Sequence, residues 1–201
     1  MALSKGKKLL ILGAALVVID QVFKILVKTN MSIGEHFNVL GNWFQILFIE
    51  NEGMAFGMKF GGVLGKYLLT FFRICLFTAL TWWISRLIRR GGVPGGVLVG
   101  LTLIAAGAMG NIIDCLFYGL IFEPHMPFMQ GRVVDMLYFP LIDTTLPQWL
   151  PWFGGRHFTF FDPVFNFADS CVTVGAFYLL LFQWKFFSSE EKKEDGKRSQ
   201  D

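Results

Sequence analysis

The sequence predicts an all-α integral membrane protein, a four-transmembrane-helix bundle with a small extracytoplasmic β-hairpin platform. Three observations carry that expectation. Of 201 residues, 54% are hydrophobic and only 16% are charged. Leaving out Tyr and counting Gly, roughly 63% of the chain is apolar, against about 45–50% in a soluble protein. A soluble core of this size cannot bury so much apolar side chain. The apolar residues also gather into four stretches, each near the roughly 20 residues that cross a bilayer. Between them lie turns, prolines and clustered aromatics. The same composition excludes a disordered chain, a collagen and a disulfide scaffold.

The spans are expected at about 9–27, 67–87, 95–117 and 164–184. The first begins like a signal peptide, with Lys5, Lys7 and Lys8 ahead of an apolar run. No small-residue cleavage site follows, so it reads as a retained helix. Eleven of the 18 Lys and Arg fall on one side of such a bundle: Lys5, Lys7, Lys8, Arg86, Arg89, Arg90, Lys185, Lys192, Lys193, Lys197 and Arg198. Positive residues favour the cytoplasm, so both termini are expected there. Residues 1–188 then form a single membrane-embedded domain, followed by a charged cytoplasmic tail over 189–201. The net charge of +3 is too small to indicate nucleic acid. Cys75, Cys115 and Cys171 show no C-x-x-C spacing and read as small apolar packing residues.

Two outer segments are expected, at about 30–66 and 118–163. In the first, His36–Leu40 and Trp43–Ile49 flank Gly41-Asn42 and read as two strands about a tight turn. In the second, six of the seven prolines fall between Pro124 and Pro163, which predicts irregular chain rather than a helix. Its Trp149, Trp152, Phe153, Phe158, Phe160 and Phe161 suit a headgroup region.

Ionisable groups inside spans are costly, and they mark functional candidates. Asp20 and Lys24 are four apart on the first span and share a face, as a structural ion pair would. Asn111 and Asp114 sit three apart near the end of the third span, and Asn166 and Asp169 near the start of the fourth. A third carboxylate, Asp135, stands in the short apolar run Arg132–Met136. Two carboxylates at one depth suit an aspartic dyad, in which one takes a proton from water and the other protonates the scissile group. Spacing alone leaves open which two carboxylates pair. It equally admits a buried polar network or an ion path. There is no H-E-x-x-H for a zinc protease and no G-x-S-x-G for a serine hydrolase.

Five fragments occur in one order along about 9–181: Asp20-Gln21-Val22-Phe23-Lys24, then Asn51-Glu52-Gly53-Met54-Ala55-Phe56-Gly57, then Gly110-Asn111-Ile112-Ile113-Asp114, then Val133-Val134-Asp135, then Phe165-Asn166-Phe167-Ala168-Asp169. Together they resemble the motifs of the lipoprotein signal peptidases (signal peptidase II) of bacterial inner membranes. The resemblance implies an intramembrane aspartic endopeptidase that cuts diacylglyceryl-modified prolipoproteins before the lipidated Cys, without metal or cofactor. It assigns the dyad to Asp135 and Asp169. Asn51, Gly53, Asn111, Asp114, Asn166 and Ala168 become substrate-binding or dyad-supporting residues, and Asp20 with Lys24 a structural polar pair. It implies a monomer in phospholipid with its active site near the outer face. Two departures stand out. Cys115 occupies the place of the family's Arg after G-N-x-x-D, so that role passes to Arg132 or Arg156 or is lost; if that Arg carries affinity rather than chemistry, Cys115→Arg is expected to be tolerated or to tighten substrate binding. The stretch 136–164 is longer than the family minimum and reads as an insertion with membrane contact. The alternative to an enzyme is a small proton- or ion-conducting membrane protein using the same carboxylates, or a membrane scaffold.

Overall fold

The computed structural model describes residues 3–52 and 62–188. Gly53 and the residues after it in that motif, 53–57, and the tail over 189–201, lie outside the described residues. The chain is mostly helical, with two small antiparallel sheets. Among the described residues, three helical stretches are long and apolar enough to cross a membrane: Lys5–Asn30, Gly62–Arg90 and Gly95–Phe122. Helices are the expected form, because backbone groups in lipid must be satisfied within their own segment. Contacts divide the chain into two compact units. One holds Met1–Asp20, Leu68–Ile112 and Ala168–Asp201; the other holds Gln21–Tyr67 and Ile113–Phe167.

The first unit is helical. It contains the start of α1 (Lys5–Asn30), most of α2 (Gly62–Arg90), nearly all of α3 (Gly95–Ile113) and α5 (Phe167–Phe182) from its second residue. Arg89 and Arg90 in the last turn of α2 complement the negative end of its dipole. The helix stops at Gly91 and Gly92, whose φ values of +71° and +69° favour glycine. Leu9, Leu87, Val97, Leu98, Leu101 and Leu179 form its buried core. Glycines allow α3 and α5 to meet closely: a Cβ on Gly175 would stand 2.8 Å from the Gly100 carbonyl oxygen.

The second unit is built on a four-stranded sheet. Strands β1 (His36–Leu40), β2 (Phe44–Asn51), β3 (Val133–Tyr138) and β6 (Val164–Phe165) lie in the order β1-β2-β3-β6, each pair antiparallel. The hairpin expected from the sequence is present, with Phe37 opposite Ile46. The inner sheet packs on the last turns of α1 through Val27, Phe48, Tyr118, Val134 and Met136. Beyond Ile113 the chain makes a π turn over Asp114–Tyr118 and a short helix α4 (Gly119–Phe122). Gly131 lies so close to this turn that a Cβ there would collide with the Asp114 carbonyl oxygen. The Gly131 N–H instead donates to the Cys115 carbonyl at 3.0 Å, which fixes the approach to β3.

Three expectations need correction. The segment 118–163 is not wholly irregular: it contributes β3, and β4 (Ile142–Thr145) pairs with β5 (His157–Phe160) in a separate two-stranded sheet. The prolines lie outside these strands and so remove no ladder hydrogen bond. The third span runs on to Phe122 rather than ending near 117. The expected fourth span starts late, because Val164 and Phe165 pair with Tyr138 and Leu137 in the sheet. Helix α5 therefore has 16 residues, about 24 Å at 1.5 Å per residue, and after a bend at Gln183 the chain is helical again over 184–188.

Candidate active site

Asp135 sits in the middle of β3, opposite Ile49 of β2, and is only 3% exposed. Buried carboxylates need donors, and two amides provide them. Asn51, the last residue of β2, donates through Nδ2 to Asp135 Oδ2 at 3.2 Å. Asn166, just after β6, donates through Nδ2 to Oδ1 at 2.7 Å. Each carboxylate oxygen thus accepts from an amide that the sheet brings to it. The sheet register performs this positioning, since Asn51 is opposite Val133 and Phe165 opposite Leu137.

Asp169 lies in the first turn of α5, where a carboxylate is favoured by the helix dipole. It is half-buried, and its Oδ1 accepts the Nδ2 amide of Asn111 at 2.7 Å. Asp20 serves the same helix end: its Oδ1 accepts the Ala168 N–H at 2.8 Å, satisfying one of the free donors of the first turn. A Cβ on Gly110 would stand 2.5 Å from Asp20 Oδ2 and 3.0 Å from the Ala168 Cβ, and one on Gly107 would strike the Ala168 carbonyl oxygen. These glycines let α3 approach the N-terminus of α5. Gly107→Val should therefore force the helices apart and cost about 1–3 kcal/mol, the range for an overpacked core. A lowered unfolding midpoint in detergent would register it, and an unchanged midpoint would refute the close-approach role.

Asp114 has a different environment. It opens the π turn, is fully buried, and forms an ion pair with the equally buried Lys24 at 2.7 Å. Gln21 donates through Nε2 to Asp114 Oδ1 at 2.9 Å, and the Tyr118 hydroxyl donates to Gln21 Oε1 at 3.2 Å. Lys24 thus joins α1 to the π turn, whereas Asp20 holds the start of α5. Sequence reasoning assigned no role to Gln21, although it lies three residues before Lys24 and so shares its helix face.

Sequence reasoning also missed a charged cluster beside β3. Glu50, nearly buried, pairs with Lys28 and with Arg132, the latter at 3.2 Å. Glu123 stands 3.6 Å from Lys28 and 3.7 Å from Arg132. The hydrogen bond that Arg132 donates to Glu50 holds its guanidinium above its ordinary pKa, with the charges of Glu123 and Glu50 adding to the effect against burial. Lys28 and Glu50 come from distant segments, so no local spacing announces the contact. Cys115 is 1% exposed. An arginine there would have to displace buried neighbours to reach substrate, so the tolerance expected of Cys115→Arg depends on how far they can move.

Residues 12–185 match the family model described as signal peptidase (SPase) II. The chain is 44% identical over 193 residues to the lipoprotein signal peptidase of Porphyromonas gingivalis, covering 89% of this chain and 84% of that one. It is 41% identical over 172 residues to the lipoprotein signal peptidase of Amoebophilus asiaticus, covering 82% and 72%. Among solved structures, a bacterial membrane enzyme determined by the in meso method aligns over 91% of both chains with a TM-score of 0.63 and 25% identity. The two curated relatives are similar over most of their length, and the family model spans nearly every segment that carries the buried carboxylates. The chain belongs to the signal peptidase II family.

Proposed function

We propose that the chain removes the signal peptide from diacylglyceryl-modified prolipoproteins, cutting before the lipidated Cys, with Asp135 and Asp169 as its catalytic dyad. The observation that carries the reading is Asp135, a buried carboxylate with both oxygens held by the amides of Asn51 and Asn166. Asn166 lies three residues before Asp169 in the chain, and Asn111 orients Asp169. Asp114 has Lys24 as its counter-charge and serves as support. Asp20 and Lys24 are structural, and Gly53 and Ala168 bind substrate or support the dyad.

Peptide hydrolysis needs one group to accept a proton from water and another to deliver one. One ionised carboxylate of the dyad takes a proton as the water oxygen adds to the scissile carbonyl carbon. The protonated partner gives its proton to the carbonyl oxygen. The tetrahedral intermediate then collapses, with a proton passing to the leaving nitrogen as the C–N bond breaks. Two carboxylates and water suffice, so no metal or cofactor is required. Residues 1–188 act as one peptidase domain of four spans, with α5 as the fourth. The protein is a monomer surrounded by phospholipid in the bacterial inner membrane. Both termini are cytoplasmic, the tail 189–201 with them, and the hairpin and dyad lie at the outer face.

Incubating the purified protein with a diacylglyceryl-modified precursor peptide tests the reading. Cleavage before the modified Cys, unchanged by a chelator, is expected. No cleavage, together with proton flux across vesicles containing the protein, would replace the peptidase with an ion conductor.

A further inference from the structure

We infer that the tip of the β4–β5 hairpin, residues 146–156, is an anchor that inserts into the phospholipid interface of the bilayer. The inference rests on the chain's place in a membrane and not on the identity of its dyad. The tip exposes its largest side chains. Trp149 is 79% exposed and Trp152 is 89% exposed, with Phe153 beside them. Trp152 also has a φ of +63°, a conformation that bulky residues rarely adopt. A strained backbone that turns an indole into water gains nothing from the fold. At a lipid interface the same conformation buries it.

The backbone of the tip suits the headgroup level, where water remains, because about half of its N–H groups are satisfied within the segment. Leu150 N–H donates to the Pro147 carbonyl, Gly154 N–H to Leu150, Gly155 N–H to Leu146, Arg156 N–H to Phe153, and Leu146 N–H back to Arg156. These bonds lower the cost of bringing the turn to the headgroup and acyl boundary. Charge is complementary as well. From Leu146 to Arg156 there is no acidic residue, and the one cation, Arg156, lies over the Phe153 ring at 5.8 Å. An aromatic body with a cationic edge matches an acyl surface beneath phosphate headgroups. The acid of the stem, Asp143, is engaged by His157 at 3.0 Å, away from the tip.

The tip also continues a surface that begins at the membrane. The sheet packs on the last turns of α1, a membrane-crossing helix, through Val27 and Phe48. From the sheet, an aromatic series leads to the stem: Phe44 stacks on Phe139 at 4.6 Å, Phe139 on Phe165 at 5.7 Å, and Phe165 meets Phe161 edge-on at 6.2 Å. Phe161 directly follows β5.

The test uses the full chain in vesicles of phosphatidylethanolamine and phosphatidylglycerol whose acyl chains carry bromine, a contact quencher of indole. The emission due to the tip is the difference between the wild type and the Trp149→Phe/Trp152→Phe variant. The bromolipid should remove most of that difference, and aqueous iodide should leave most of it. Loss of the difference to iodide with no quenching by bromolipid would place the tip in water and overturn the inference. Shielding that appears only when a lipidated precursor peptide is added would also overturn it, and would make the tip a substrate contact. A second variant, Arg156→Glu, should lower the bromolipid quenching in anionic vesicles, and equal quenching there would remove the headgroup contact from the account.

Discussion

Asp135→Asn and Asp169→Asn should each lower cleavage of a lipidated precursor peptide by about 10²–10⁴-fold, the span of a general acid or base. The double variant is little worse than either single one, because members of a cooperating unit do not contribute additively. Folding should survive. In Asp135→Asn one oxygen becomes an NH₂ facing a donor, but Asn51 or Asn166 can turn its own amide and offer the carbonyl instead. Asn111 can do the same opposite Asp169→Asn. Both substitutions also remove a charge that is costly in low dielectric. Single-turnover cleavage by each purified variant is the measurement. Near-normal turnover in Asp135→Asn would remove Asp135 from the dyad.

Much of this arrangement was legible in the sequence, for identifiable reasons. The hairpin strand His36–Leu40 has the expected bounds, because aromatic and β-branched residues beside Gly41-Asn42 specify a turn locally. Spacing set Asn111 with Asp114 and Asn166 with Asp169, whereas in the structure Asn166 donates to Asp135 and Asn111 to Asp169, contacts that only the fold creates. Long-range pairing was not legible. Val164 and Phe165 lie in an apolar run that a helix would also accept, and only the partner strand β3 makes them a strand. The β4–β5 sheet was hidden by the prolines around it, which signal turns without saying what they connect. The cluster of Lys28, Glu50, Glu123 and Arg132 draws on four separate stretches of chain, so no periodicity could reveal it.

The buried pair of Lys24 and Asp114 sets the second large effect. Neither side chain is exposed, so removing one takes from the other its charged partner at 2.7 Å. Lys24→Met should cost about 3–5 kcal/mol, the usual result of breaking a buried pair. Asp114→Asn should cost a similar amount, since Lys24 then loses its counter-charge. Removing both charges should recover most of the loss, because a buried pair repays little more than its own desolvation. Lys24→Met combined with Asp114→Asn is the informative variant: the amide oxygen still accepts from Gln21, so the link from α1 to the π turn through Gln21 and Tyr118 survives. Unfolding midpoints in detergent compare the three, and a wild-type midpoint in Lys24→Met would show that the pair does not hold the π turn. The refolded double variant also decides the part Asp114 plays. Asp135 depends on Asn51 and Asn166, which neither substitution touches. A supporting role for Asp114 therefore predicts that the well-folded double variant still cleaves. If it is stable and inactive, Asp114 takes part in the chemistry, and the assignment of the dyad to Asp135 and Asp169 fails.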